Sequence, residues 1–118
     1  MFTRELQAKL LQLSTKFPFV TLTGPRQSGK STLARMTFPD YKCVSLEDLD
    51  TREFAETDPR GFIADYPSET IIDEVQRVPS LLSYLQTHSD NTGEMGMYIL
   101  TGSQNADLMS AVDQSLAG

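Results

Sequence analysis

The stretch LTGPRQSGKST, residues 22–32, places two glycines five positions apart and follows the second at once with lysine and serine. The whole chain has only 7 glycines in 118 residues, so this concentration needs a reason. Residues 24–31 match the spacing G-x-x-x-x-G-K-[ST], in which backbone N–H groups wrap a phosphate closely. Side chains at the two glycine turns would collide with that phosphate. The stretch therefore predicts a phosphate-binding loop.

The segments on either side of this loop have the patterns that it requires. FPFVTLTG, residues 17–24, is apolar on successive residues and suits a strand buried on both faces of a parallel sheet. A helix is predicted from Gly29 to about Met36, and its N-terminus carries partial positive charge toward the same anion. An ordinary strand-to-helix turn is the alternative, but it does not require the lysine or the second glycine.

The motif assigns a role to each end of the loop. Lys30 is expected to reach the β- and γ-phosphates, and the Ser31 hydroxyl to ligate Mg²⁺. The residues expected to bind nucleotide are Gly24, Pro25, Arg26, Gln27, Ser28, Gly29, Lys30, Ser31 and Thr32.

The rest of the chain alternates strand and helix patterns. Leucines at positions 6, 10 and 13 predict a helix over about residues 3–15. Further strands are predicted at residues 41–46, 69–74 and 96–103, with helical stretches between them, one of them broken near Asp58, and a last helix over residues 105–116. This alternation predicts an α/β fold of three layers, a parallel sheet flanked by helices, with the loop at the carboxyl end of the first strand.

TIIDE, residues 70–74, supplies two adjacent carboxylates after an apolar strand. An acid at the end of a strand beside a phosphate loop can hold the magnesium shell, and we assign this role to Asp73. Glu74 is then expected to orient or deprotonate an attacking water. The alternative is that Asp73 and Glu74 are two solvated loop acids. If the phosphate-binding loop were absent, a DE pair would fit either interpretation equally well.

YILTGS, residues 98–103, ends a further strand with a hydroxyl. We expect Ser103 to approach the γ-phosphate, with Thr101 and Gln104 behind it. A helix cap is the alternative, since serine is common at that position. Lys30, Glu74 and Ser103 are therefore the candidate catalytic residues, and Ser31 and Asp73 are the candidate metal ligands.

Composition and charge exclude several classes of protein. No apolar run approaches the ~20 residues that cross a bilayer, so no membrane partner is expected. Residues 1–35 carry six Lys/Arg and one acid, whereas residues 36–118 carry four Lys/Arg and fifteen acids, which argues against direct nucleic-acid binding by this segment. Cys43 is the single cysteine and is expected in the core, which excludes a disulfide framework. We predict one cytoplasmic domain, with a helix before a nucleotide-binding core at about residues 17–118.

GPRQSGK, DEVQRVP and LTGS occur here in the order in which they occur in a known group. The chain resembles the bacterial and archaeal AAA+-type P-loop ATPases often labelled "ATP-binding protein", in which an ATPase half precedes a C-terminal domain of poorly defined function. The resemblance implies ATP and Mg²⁺ as cofactors, a Walker A loop at residues 24–31, a Walker B pair at Asp73 and Glu74, and a sensor-like Ser103. Gln76 and Arg77 belong to the same signature, without an assigned role.

The resemblance also implies a longer protein. In the family the chain continues past SLAG, residues 115–118, and the sheet order is 5-1-4-3-2, so strands in the order 1-4-3-2 are expected here, without the fifth. An uncovered first strand is an exposed edge. We expect the 118-residue chain either to bind ATP weakly and hydrolyse it poorly, or to cover that edge by self-association.

Two kinds of function remain open from the sequence. The first is an ATPase that converts ATP to ADP and phosphate, and the second is a nucleotide-dependent switch or regulatory binding module with little turnover. Glu74 favours the enzyme, because a pure binder has no need of that carboxylate. A small-molecule kinase would want an arginine-rich lid, and a GTPase would carry an N-K-x-D segment, which is absent from the sequence.

Overall fold

The computed structural model describes residues 4–24 and 29–103. The helices are α1 (Arg4–Lys16), α2 (Lys30–Thr37), α3 (Leu49–Thr57), α4 (Pro59–Asp65) and α5 (Pro79–Thr92), with a 3₁₀ turn at Val75–Arg77. The strands are β1 (Phe19–Gly24), β2 (Lys42–Ser45), β3 (Thr70–Asp73) and β4 (Tyr98–Ser103). The helix predicted over residues 105–116 lies outside the described residues.

The four strands form one parallel sheet in the order β1-β4-β3-β2. This order confirms the predicted one. Gly24 at the end of β1 is paired with Ser103 at the end of β4, and Ser45 at the end of β2 is paired with Asp73 at the end of β3. All strands therefore end at the same edge of the sheet, with their last residues side by side.

Helices cover both faces of the sheet, which gives the three layers. The face toward α1 and α2 buries Leu10, Val20, Leu33, Ala34, Phe38, Ile71 and Ile99. The opposite face, toward α3, α4 and α5, buries Phe19, Val44, Leu46, Ala55, Phe62, Ile72, Val75, Val78, Leu81, Leu85, Met97, Tyr98 and Leu100. Ile71 and Ile72 go to opposite faces because side chains alternate along a strand. In the part of the chain that is described, no helix has the length and apolar character needed to span a bilayer.

Helix boundaries follow local chemistry. The predicted break falls at Asp58, whose side chain accepts a hydrogen bond from the Gly61 backbone N–H at 3.0 Å and caps α4, while Pro59 occupies the first turn. The strand predicted from residue 96 begins instead at Tyr98. Gly96 has a φ of 64°, outside the extended region of a regular strand, and the strand begins after it.

Gly96 is a position where an alanine should be costly. A Cβ at this residue would lie 2.8 Å from the backbone oxygen of Ser14, in addition to requiring a left-handed conformation. Gly93 has a similar φ of 70° but no atom within 4 Å of the added Cβ. We expect Gly93→Ala to lower the free energy of unfolding by about 1–2 kcal/mol, and Gly96→Ala by clearly more. Urea unfolding of the two variants measures the difference, and equal losses would contradict the contact with Ser14.

Candidate functional site

The carboxyl edge of the sheet brings together three segments that lie far apart in the sequence. Gly24 ends β1, Asp73 ends β3 and Ser103 ends β4, and the pairing of Gly24 with Ser103 places the first and last of them on adjacent strands. In open parallel sheets, ligands bind outside this edge. The end of β1, where the predicted phosphate loop begins, therefore lies at the same edge of the sheet as the carboxylate pair and the Ser103 hydroxyl.

The loop after β1 leads directly into helix α2. Gly29 precedes the helix in a left-handed conformation, with φ 88° and ψ 14°, so a glycine suits this position. Lys30 lies in the first helical turn, and its Nζ donates a hydrogen bond to the Gly24 carbonyl oxygen at 3.2 Å. The lysine side chain therefore links the first turn of α2 to the end of β1.

The remaining residues of the predicted loop divide into two groups. Ser31 is half-buried and Thr32 is exposed, both in the first turn of α2. Backbone N–H groups in the first turn of a helix lack partners in the preceding turn and favour anions. Pro25, Arg26, Gln27 and Ser28 lie outside the described residues, as does Gln104.

Asp73 is buried, with 6% of its surface exposed, and its carboxylate is held from two strands. The Thr101 hydroxyl of β4 donates to Oδ1 at 2.8 Å, and the Cys43 thiol of β2 lies 3.8 Å from Oδ2. Partial burial first, and the Asp73 charge second, raise the pKa of the Cys43 thiol, with Arg35 opposing. Cys43 therefore faces Asp73 as a neutral thiol at neutral pH.

The expectation that Cys43 is a core residue is wrong, since the residue is exposed and its thiol is only partly shielded from solvent. The physical reason is the position of β2 at the edge of the sheet, while α2 packs over β1, β3 and β4. A strand pattern alone cannot distinguish an edge strand from a central one.

Glu74 lies directly after β3 in a left-handed conformation, with φ 57° and ψ 47°. Such a conformation costs a non-glycine residue about 1–2 kcal/mol. The Ser103 hydroxyl donates to Glu74 Oε1 at 3.1 Å, and the Gln76 amide Nε2 donates to the same oxygen at 2.8 Å. The carboxylate is therefore fixed at the edge of the sheet by donors from β4 and from the 3₁₀ turn.

A comparison with known protein families agrees with this arrangement. A family model described as an AAA domain matches residues 16–118. The chain belongs to the AAA domain family. This membership supports a nucleotide-binding, ATPase-like role in general terms.

Two curated relatives of this chain are longer proteins. Uncharacterized proteins of Mycobacterium bovis and Mycobacterium tuberculosis are each 32% identical over 118 residues, which is 98% of this chain. The chain spans 26%, or about a quarter, of the length of each relative.

Thr101 has contacts in the candidate site that the sequence alone does not predict. Its side chain is fully buried, and its hydroxyl both donates to Asp73 Oδ1 and accepts the Glu74 backbone N–H at 3.3 Å. One hydroxyl thus holds the Asp73 carboxylate and the backbone of Glu74. The sequence signal is its place two residues before Ser103, which puts the two side chains on the same face of β4.

The oxygen donors at this edge suit a hard cation. A hydroxyl at Ser31 and a buried carboxylate at Asp73 are ligand types that Mg²⁺ prefers. Among residues 4–24 and 29–103, no cluster of three or more His, Cys, Asp or Glu side chains could hold a metal by itself. The donor set therefore fits an ion that takes most of its ligands from phosphate and water.

Proposed function

We propose that this AAA domain is the ATP-binding and ATP-hydrolysing part of a cytoplasmic protein, acting on Mg·ATP. The observation that carries the proposal is the convergence at one sheet edge of Lys30 folded over Gly24, the buried Asp73 and the doubly hydrogen-bonded Glu74. A phosphate cradle alone only binds, whereas a positioned carboxylate beside it adds a base for hydrolysis.

In this proposal, residues 24–31 wrap the phosphates and Lys30 leaves Gly24 to contact the β- and γ-phosphates. Ser31 and Asp73 would hold Mg²⁺, which supplies charge neutralisation for the β- and γ-oxygens. The two hydrogen-bonding neighbours of Asp73, Thr101 and Cys43, keep its carboxylate at the end of β3.

Glu74 is the proposed base for hydrolysis. The oxygen of a water attacks the γ-phosphorus in line, and the bond from that phosphorus to the β–γ bridging oxygen breaks. Glu74 accepts a proton from the attacking water. The electron pair of the broken bond stays on the oxygen of ADP, and inorganic phosphate leaves. In the proposal, Ser103 contacts the γ-phosphate, and its hydrogen bond to the same carboxylate supports a place for it beside Glu74.

A nucleotide-dependent switch with little turnover is the second candidate. The two donors that fix the Glu74 side chain favour hydrolysis, because a switch needs only the cradle. A C-terminal domain, and self-association through the β1 edge, are proposed as the partners of the full-length protein. The greater length of the relatives supports the former.

The test is release of labelled phosphate from γ-labelled ATP by the protein at its natural length, with ATP binding measured in parallel. We expect binding and phosphate release with Mg²⁺, and loss of release when the metal is chelated with EDTA. Tight Mg·ATP binding without release would support the switch instead. No binding of ATP with or without Mg²⁺ would overturn both.

A further inference from the structure

Gln76 is a glutamine whose side chain is turned inward against the catalytic candidate Glu74. It lies in the 3₁₀ turn Val75–Arg77, which is closed by the Arg77 backbone N–H donating to the Glu74 carbonyl at 3.0 Å. This tight turn brings residue 76 back toward residue 74. The Gln76 Nε2 then donates to Glu74 Oε1 at 2.8 Å.

The chemistry of the pair fixes which way the amide faces. An ionised carboxylate only accepts hydrogen bonds, so the amide must present its nitrogen to Glu74. Its oxygen, Oε1, is consequently turned away, and it is buried with no hydrogen-bond partner within residues 4–24 and 29–103. A buried acceptor left unpaired costs about 1–3 kcal/mol.

This cost identifies the bond to Glu74 as the reason for a glutamine at position 76. An apolar side chain of similar length would fill the same space without leaving a buried acceptor unpaired. What it would lose is the donor to Glu74. A locally unfavourable residue beside a functional group is the pattern expected where positioning is favoured over stability.

Both side-chain donors that contact the Glu74 carboxylate in the described residues bond to the same oxygen, Oε1. Gln76 Nε2 and Ser103 Oγ lie 2.8 Å and 3.1 Å from Oε1, and they approach from different segments of the chain. Two donors on Oε1 restrain the carboxylate, and among the hydrogen bonds of the described residues they leave Oε2 as the oxygen that can receive a proton from water. Ser103 is also the residue assigned to the γ-phosphate, so Gln76 is the donor that would stay when nucleotide binds.

We infer that Gln76 is a positioning residue for hydrolysis, which holds Glu74 Oε1 through its amide nitrogen so that Oε2 faces the attacking water. The inference rests on the proposed function and adds a residue to it. Gln76 itself does not contact the substrate. It should therefore act on the rate of hydrolysis and not on the affinity for ATP.

The test compares Gln76→Met, which keeps the length and removes the donor, with Gln76→Glu, which replaces the donor with a second acceptor. We expect kcat for ATP to fall about tenfold in the methionine variant, as for loss of one hydrogen bond to a charged group, with the Kd for Mg·ATP unchanged. The glutamate variant should fall further, because two carboxylates repel one another. Gln12→Met, at an exposed position of α1, is the matched control and should equal the unsubstituted protein.

A second measurement does not depend on turnover. Gln76→Met, Glu74→Met and the double variant form a cycle of unfolding equilibrium constants, in which the contact predicts a coupling of about fivefold or more. Three results would each overturn this inference and leave the proposed function standing. They are additive effects in this cycle, an unchanged kcat in Gln76→Met, and a Kd for Mg·ATP that rises by the same factor as kcat falls. Absence of ATP hydrolysis by the unsubstituted protein would instead overturn the proposed hydrolysis, and this inference with it.

Discussion

The Glu74→Gln variant is expected to bind ATP with nearly unchanged affinity and to hydrolyse it about 10²–10⁴-fold more slowly, the usual contribution of a positioned general base. The substitution keeps the shape of the side chain and its ability to accept hydrogen bonds from Gln76 and Ser103. It removes the negative charge and replaces the second carboxylate oxygen, which would accept the proton of the attacking water, with an NH₂ group that only donates. Single-turnover phosphate release and equilibrium ATP binding, measured on the same preparation, separate the two effects.

Glu69→Gln is a matched control for this experiment. Glu69 lies immediately before β3, whereas Glu74 lies immediately after it, and both have a positive φ, 49° and 57°. Glu69 is exposed at the opposite edge of the sheet, so its variant should hydrolyse ATP at the normal rate. If Glu74→Gln retained normal turnover, or if both variants lost it equally, the assignment of Glu74 as the base would be wrong.

The parts of this fold that the sequence predicts well are those with local signals. Alternation of apolar strands with helical stretches indicates the parallel sheet. Gly29 adopts a left-handed conformation, which is consistent with the glycine that the loop motif has at this position. The break at Asp58 and Pro59 follows from capping chemistry within four residues. The order of the strands came from the family resemblance, and the pairing of β1 with β4 confirms it.

The parts that the sequence does not predict depend on which strands become neighbours. Thr101 resembles any other strand residue in the sequence, and only the pairing of β4 with β3 brings its hydroxyl to the Asp73 carboxylate and the Glu74 backbone N–H. The strand pattern predicts that Cys43 is a core residue, and only the position of β2 at the edge of the sheet explains why it is exposed. Gln76 belongs to the family signature, but the sequence does not predict its contact with Glu74, because that contact depends on a left-handed residue and a 3₁₀ turn that no propensity favours. Contacts across strands therefore require the structure.

Lys30→Met is expected to weaken ATP binding about 10- to 100-fold. A hydrogen bond to a charged group contributes about 1.5–3 kcal/mol, and each ~1.4 kcal/mol corresponds to tenfold in affinity. In the described structure the ammonium group donates to the Gly24 carbonyl oxygen at 3.2 Å, so it already lies at the end of β1 where the predicted phosphate loop begins. Methionine keeps the length and apolar stem of the side chain and removes the charge. Isothermal titration with ATP, ADP and AMP in the presence of Mg²⁺ measures the loss.

The dependence of that loss on the number of phosphates decides what Lys30 contacts. If its ammonium group binds the β- and γ-phosphates, the loss should be largest for ATP, smaller for ADP and absent for AMP. Lys16→Met, at an exposed position at the end of α1, removes the same charge from a chain of net charge −6 and controls for long-range electrostatics. An equal loss for all three nucleotides would indicate a distorted loop and not a lost phosphate contact. A loss confined to ATP and ADP, together with normal binding by Lys16→Met, would establish Lys30 as the phosphate ligand.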